Sequence, residues 1–279
     1  MNLPEIMIAQ QYLDLSPGWF DVKDMFVDRS YHIIYIEKFE KLVELGHAER
    51  HPTMRGKYRK RETDLIEMDF KNVEATPVDI WLPFDLSDEV EIYPGNMIMI
   101  AGVKSAGKTG VMLNMVEQNQ DMWNVEYFNS EMGSQELRRR LDLFPYKTIE
   151  QWNFKAYSRA SKFGDAIKGG PDKLILIDFF EVHDDFATVG KELKAIHDNL
   201  QGAVVVIAIQ KNPGSDVGLG GWRSAEVSRL YLSLDRGRVK ITDAKNFRKP
   251  DANPNGKVRR FGIRHGCQIT CNSEWHNEA

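Results

Sequence analysis

The sequence predicts an α/β protein whose main part is a largely parallel β-sheet flanked by helices. Three observations predict this fold: continuous apolar runs of strand length, helical patterns between them, and a glycine-rich turn that follows the first run and begins a helix. The runs LILID at 174–178 and VVVIAI at 204–209 are almost entirely apolar, as strands covered on both faces are. Strands that alternate with helices are typical of a parallel sheet.

Composition excludes several classes of protein. The 279 residues are 42% hydrophobic and 28% charged, and the net charge of -4 argues against a polycation that coats nucleic acid through charge alone. The apolar runs are far shorter than the roughly 20 residues of a membrane helix, so we expect no membrane partner and a cytoplasmic protein, in the host cytoplasm if a phage encodes it. Cys267 and Cys271 are expected to be reduced, and their spacing with His265 and His276 matches no zinc finger.

The first third predicts a helix that leads into a basic hairpin. Apolar residues recur at helical spacing from Ile34 to Leu45, Gly46 ends the helix, and 48–51 and 57–61 alternate as two short strands. A further short helix is predicted at 20–26. The order helix, helix, hairpin is that of a winged helix, and residues 19–61 resemble that family. The hairpin would contact DNA through basic side chains or would be only a charged surface, and its three candidate contacts are Arg55, Lys57 and Arg59.

The segment 65–92 shows no sustained period and is interpreted as a linker between a winged-helix-like domain at 1–64 and a second domain at 93–279. In the second domain, a helix is predicted from Val189 to Leu200, whose apolar residues are four, three and four apart. The last strands are expected to be antiparallel. The predicted strands are 97–101, 125–129, 174–178, 203–209, 229–234, 239–244 and 258–263.

The glycine-rich turn GVKSAGKT at 102–109 matches the Walker A pattern, and it lies after a buried strand and at the start of a helix, where a phosphate-binding loop must lie. Backbone N–H groups would converge on the phosphates, Lys108 would meet the β and γ phosphates, and the Thr109 hydroxyl would ligate Mg²⁺. ATP with Mg²⁺ is the ligand that this motif implies. The predicted nucleotide-binding residues are Gly102, Val103, Lys104, Ser105, Ala106, Gly107, Lys108, Thr109 and Gly110.

Carboxylates for the metal and for the attacking water follow other strands. Asp178 ends an apolar strand, where a Walker B carboxylate would hold Mg²⁺ directly or through water. Glu131 and Glu181 are the two candidates for the residue that orients water. Glu131 is favoured because it leaves a strand tip that is expected next to the strand before the glycine-rich turn, whereas Glu181 lies three residues beyond Asp178 and is expected to turn away.

Residues 84–265 resemble the RecA-like ATPases, and among them the DnaB-type replicative helicases and their phage relatives. The resemblance depends on PGNMIMIAG before the Walker A turn, SEM followed by ELRRR at 130–140, the Asp178 strand, and Gln210 before a glycine-rich loop. It implies that Glu131 is the catalytic base, that Gln210 senses the γ-phosphate, and that the loop after Gln210 lines a channel for single-stranded DNA. In that loop, Lys211 and Arg223 are the predicted DNA contacts, while Trp222 is either a contact or a lid on the core.

The resemblance also implies that a lysine and an arginine reach the ATP site of the next subunit. Lys245 and Arg248 occupy the matching place, although they are one residue further apart than in DnaB-type proteins. The expected function is a DNA-dependent ATPase motor of the helicase type, active on single-stranded DNA as a self-assembled ring, which the resemblance implies to have six subunits. Replication or recombination proteins are expected to bind the N-terminal domain. The alternatives are a recombinase-like filament and a winged-helix DNA-binding regulator that uses ATP as a switch.

Overall fold

The structure is a computed structural model that describes residues 4–26, 28–65, 67–180 and 186–278, with side chains for all of these except 186–188. It divides into two compact units, Met1–Val73 and Glu74–Ala279. The predicted Glu181 lies outside the described residues.

The first unit is a small α+β unit. Its elements are helix α1 (Glu5–Leu15), strand β1 (Phe20–Asp21), helix α2 (Ser30–Glu44), and strands β2 (Ala48–Arg50) and β3 (Lys57–Lys60). The strands form an antiparallel sheet in the order β1-β3-β2. Its core includes four buried aromatic residues, Phe20, Tyr35, Phe39 and Tyr58, and Phe39 packs between Phe20 and Tyr58 at centroid distances of 5.1 and 5.2 Å.

The helix predicted at 20–26 is wrong. Phe20 and Asp21 pair with Tyr58 and Lys57 as strand β1, and a single 3-10 turn, Val22–Asp24, follows. The Asp21 side chain accepts a hydrogen bond from the backbone N–H of Lys23 at 3.0 Å, so it ends the strand and begins the turn. Helix α1, which the sequence reading did not include, packs on α2 and β3 through Ala9 and Leu13, both fully buried.

The second unit is an α/β unit with a mixed, largely parallel sheet, as predicted at that level. Its strands are β4 (Met97–Gly102), β5 (Asn124–Asn129), β6 (Lys155–Ser158), β7 (Lys173–Phe180), β8 (Val204–Gln210), β9 (Leu230–Asp235), β10 (Arg238–Ala244), β11 (Lys257–Arg264), β12 (Gln268–Cys271) and β13 (His276–Asn277). Its helices are α3 (Lys108–Asn119), α4 (Ser134–Leu141), α5 (Phe163–Ala166) and α6 (Phe186–Asp198).

The strand order is β12-β11-β10-β9-β4-β8-β7-β5-β6, and β13 pairs with β11. The six neighbouring strands β9, β4, β8, β7, β5 and β6 run parallel to one another. Strands β10, β11 and β12 instead pair antiparallel with their neighbours, which confirms the expectation for the last strands. Alternate side chains of β4 enter two separate cores. Ile98 and Ile100 pack with helix α3, whereas Met97 and Met99 pack with helix α6. Helices therefore cover both faces of the sheet, and this explains the continuous apolar strands.

Over 74–92 the structure shows a packed segment, where the sequence predicts a linker. Ile80, Leu82, Phe84 and Leu86 are buried in the same core as α3. The chain is also fixed by hydrogen bonds, because the backbone N–H of Trp81 donates to Asn119 Oδ1 at 2.8 Å and Trp123 Nε1 donates to the Asp79 carbonyl at 2.9 Å. The burial of these residues, together with that of Pro83, makes this segment part of the second unit.

Candidate nucleotide-binding site

The turn between β4 and α3 is shaped by two positive φ angles and one close approach. Ser105 and Gly107 have φ of 62° and 95°. At Gly102 an added Cβ would lie 2.9 Å from Lys108 Cγ, so a side chain there would displace the lysine. The Lys108 ammonium donates to the carbonyl oxygens of Gly102, at 2.9 Å, and Val103, at 3.3 Å. Burial lowers the pKa of Lys108, and the charges of Asp178 and Glu131 oppose that shift.

Asp178 is a buried carboxylate on β7, 5% exposed, and it accepts a hydrogen bond of 2.6 Å from the Tyr127 hydroxyl. Burial raises its pKa, while hydrogen bonds from Tyr127 and Thr109 and the nearby charge of Lys108 favour the ionised form. The carboxylate therefore lies against the first turn of α3, beside the hydroxyl predicted to share Mg²⁺ with it.

A cavity of about 860 Å³ opens over this turn at the carboxyl ends of the parallel strands. Glu131, which follows β5, and Gln210, which ends β8, both line it and are exposed. The structure thus brings together the predicted residues from three strands and the turn. Its other lining residues are Lys104, Ser105, Ala106, Gly107, Lys108, Thr109, Gly110, Arg140, Asp178, Phe179, Arg236, Gly237, Phe261, Gly262, Ile263 and Gly266.

The sequence reading missed two arginines in this cavity. Arg140 comes from the last turn of α4, and Arg236 comes from the turn between β9 and β10. The run of three arginines at 138–140 belongs to the motif SEM followed by ELRRR, but nothing in that motif marks which guanidinium faces a ligand.

The wall formed by β11 and the following turn was also missed. An added Cβ at Gly107 would lie 2.2 Å from Ile263 Cδ1, so Ile263 rests directly on the glycine-rich turn. Below it, Cys267 is buried and its thiol donates to the Leu143 carbonyl at 3.0 Å. The C-terminal hairpin therefore forms one side of the cavity.

Lys245 and Arg248 are not in the cavity of their own chain. Strand β10 begins near the cavity and runs antiparallel to β9. The residues that follow β10 therefore lie at the opposite ends of the strands, away from the cavity. Lys245 pairs with Asp243 at 2.7 Å and Arg248 pairs with Glu91 at 3.3 Å, and both cations remain 46% exposed.

Lys211 differs from its predicted role as a DNA contact. Its side chain is 1% exposed, and its ammonium pairs with Asp235 at 2.8 Å and donates to the Ser215 carbonyl at 2.8 Å. The reason is a distant partner: Asp235, at the end of β9, holds Lys211 inward beside that strand rather than outward with the loop. Arg223 is exposed, and so is Trp222, at 64%, which is against a lid on the core.

In the first unit, the three predicted basic contacts lie on the β2–β3 hairpin but differ in their environment. Arg55 is exposed on the turn and Lys57 is partly exposed. Arg59 pairs with Glu49, and its guanidinium lies over the Trp19 ring, 5.1 Å from the centroid. A basic and aromatic surface is therefore present, with one of its cations already neutralised.

The residues present fit a magnesium nucleotide. The glycine turn leaves no room for side chains where backbone N–H groups must approach phosphate, as Gly102 and Gly107 show. Thr109 and Asp178 supply the two hard oxygen ligands that Mg²⁺ takes when phosphates and water complete its shell. Within the described ranges there is no group of three or more His, Cys, Asp or Glu side chains that could hold a metal without such help.

Comparisons with known proteins add no relative. No family model matches the chain, and no curated protein matches it either. Among the helices described here, none combines the length and the apolar character that crossing a bilayer requires.

Proposed function

We propose that this protein is a magnesium-dependent ATPase of the RecA-like kind, closest to DnaB-type helicases, which acts on single-stranded DNA as a ring-shaped oligomer. One observation carries the proposal. Lys108, Thr109, Asp178, Glu131 and Gln210 come from four separate segments of the sequence, yet all five line one cavity at the carboxyl ends of the parallel strands.

Each of these side chains has a chemical task in that cavity. The half-buried Lys108 ammonium would leave the Gly102 and Val103 carbonyls and bind the β and γ phosphates. Glu131 is exposed at the cavity wall, where it would orient and polarise the attacking water. Gln210 would report the γ-phosphate to the loop that follows it. Bound Mg²⁺, held by Thr109 and Asp178, would neutralise charge on the phosphates.

Assembly into an oligomer is supported by the position of Lys245 and Arg248, the two predicted site cations that do not line the cavity. Lys245 and Arg248 lie at the ends of the strands opposite the cavity and are half exposed. They could therefore reach an ATP site only in another copy of the chain. Their present carboxylate partners, Asp243 and Glu91, are on the surface, where ion pairs are weak and readily exchanged. This arrangement supports a head-to-tail oligomer.

Contact with single-stranded DNA is supported by the exposed pair Trp222 and Arg223. An aromatic ring that stacks on a base and a guanidinium that binds the backbone form a common combination in such sites. Both residues lie in the loop that follows Gln210, so a change at the γ-phosphate can reach them through the backbone.

The first unit is proposed to be winged-helix-like, since its sheet order β1-β3-β2 with a hairpin after α2 is that of the family. The exposed residues of α2, however, include Tyr31, Ile33, Glu37, Lys41 and Glu44, and Lys41 is paired with Glu44 at 2.8 Å. Acidic and apolar side chains do not suit a helix in the major groove of duplex DNA. This argues against the regulator alternative and favours contacts through the hairpin or with a protein.

The central experiment measures ATP turnover without nucleic acid, with single-stranded DNA and with duplex DNA, at two salt concentrations, with Lys108→Ala as the blank. We expect single-stranded DNA to raise turnover several-fold and higher salt to suppress the effect. Turnover that no nucleic acid changes would exclude the motor. A DNA-stimulated enzyme without unwinding activity, seen as an open filament, would favour the recombinase-like alternative.

Residues acting between subunits are tested by mixing two inactive variants. The Lys108→Ala variant keeps Lys245 and Arg248 but loses its own nucleotide site. The Lys245→Ala/Arg248→Ala variant keeps its nucleotide site but loses the two cations. If the cations act on a neighbour, the mixture regains part of the wild-type turnover. A mixture no more active than either variant alone would contradict assembly through these residues.

A further inference from the structure

Helix α4 carries three consecutive arginines whose environments differ. Arg138 pairs with Asp142 at 3.1 Å on the outside of the helix, and Arg139 is exposed. Arg140 is partly buried and lines the nucleotide cavity. Successive helical residues point about 100° apart, so the helix position alone directs one guanidinium of the three toward the cavity.

The hydrogen bonds of Arg140 are incomplete. One terminal nitrogen donates to Glu136 Oε1 at 3.0 Å, within the same helix. Its Nε is buried and has no hydrogen-bond partner in the part of the chain that the structure describes. A buried donor without an acceptor is unfavourable, and a guanidinium is suited to binding two oxygens of one anionic group.

The surroundings place this donor at the phosphate end of the cavity. Arg140 lies near enough to Tyr127 and to Asp178, which is beside Thr109, for its positive charge to act on both groups. Glu131 lies three residues before α4 begins and lines the same cavity. Arg140 thus stands on the side of the catalytic glutamate, whereas Lys108 approaches from the glycine-rich turn.

We propose that Arg140 binds the terminal phosphate of ATP within its own subunit and so distinguishes ATP from ADP. This inference rests on the proposed ATPase function. An oxygen of the γ-phosphate would satisfy the Nε donor that Glu136 leaves without a partner. The site would then hold a cation of its own chain in addition to Lys108, before a neighbour contributes Lys245 or Arg248.

The test is the affinity for two nucleotides, measured by fluorescence of labelled ADP and of a labelled, non-hydrolysable ATP analogue with an imido bridge. Arg140→Gln should weaken the analogue about 10- to 100-fold, as expected for a lost charge-assisted contact, and ADP by less than about threefold. Arg140→Lys should regain part of the difference, because it keeps the charge without the fork. Arg138→Gln and Arg139→Gln are the matched controls and should behave as wild type.

Glu136→Gln separates phosphate binding from a purely structural role. It removes the carboxylate charge that pairs with Arg140 inside the helix but leaves the guanidinium in the cavity, so the affinity for the analogue should be kept. Equal losses for Glu136→Gln and Arg140→Gln, or an equal loss of both nucleotides in Arg140→Gln, would overturn this inference alone. A wild-type protein that binds neither nucleotide better than Lys108→Ala would overturn the ATPase proposal with it.

Discussion

Removing either partner of the buried ion pair Lys211–Asp235 should have very different effects on stability. Asp235→Asn leaves a cation that is 1% exposed without its counter-ion, bound only by the neutral oxygens of the Ser215 carbonyl and of the new amide. Breaking a buried pair costs about 3–5 kcal/mol, and these neutral acceptors place the expected loss at about 3 kcal/mol. Lys211→Met removes the buried charge itself. Asp235 is then 34% exposed and still pairs with Arg238 at 3.4 Å, so the expected loss is about 1 kcal/mol.

Thermal unfolding of the second unit measures this asymmetry. At about 2–4 °C per kcal/mol for a unit of this size, Asp235→Asn should lower Tm by about 6–12 °C and Lys211→Met by about 2–4 °C. The double variant Lys211→Met/Asp235→Asn should be more stable than Asp235→Asn alone, because no buried charge remains. The reasoning is refuted if Lys211→Met is the more damaging single change, or if the double variant shows the sum of both losses.

Three further predictions concern the cavity and the loop after β8. Burial raises the pKa of Asp178, so its contribution to stability is greatest below the unfolded pKa of about 3.9 and is lost as pH rises through the folded value. Asp178→Asn should therefore raise Tm at pH 7, with the gain vanishing below about pH 4, and should abolish Mg²⁺-dependent nucleotide binding. Tyr231→Phe removes the hydroxyl bound to the Gly218 N–H and to Ser224, and limited proteolysis should then cut the loop faster, unlike Tyr146→Phe at a 93% exposed site. Gly107→Ala forces a Cβ against Ile263 and should lower stability by about 1–3 kcal/mol in urea unfolding, of which Ile263→Ala in the same chain should restore a part.

Sequence alone predicted the strands that are buried on both faces. Strands β7 and β8 are apolar over most of their length, so their hydrophobicity identifies them without knowledge of their neighbours. Strands β6, β12 and β13 were missed because they are short and mostly exposed and carry polar residues, so only pairing with β5 or β11 defines them. The segment 80–86 did contain a signal, since Ile80, Leu82, Phe84 and Leu86 are buried at every second position, but the equally buried Pro83 and a 3-10 turn obscured it.

The candidate site residues divide in the same way, into those set by a local pattern and those set by a contact with a distant part of the chain. Lys108 and Asp178 were predictable because each is tied to a strand end within its own segment. Lys211 was misjudged because its partner, Asp235, comes from another strand 24 positions later, and no local pattern reveals that contact. Arg140 was missed for a related reason: which of three adjacent arginines enters the cavity depends on the residue at which α4 begins.

The separation of the cavity from Lys245 and Arg248 has a consequence for how activity would depend on protein concentration. In the proposed assembly each copy would give its cations to one neighbour and receive them from the other, so a two-fold dimer joined through like surfaces would complete no site. In an open chain of copies, one terminal site always lacks its donor, and the active fraction grows gradually with length. A closed ring completes every site at once, so specific activity would rise steeply over a narrow concentration range and then stay constant.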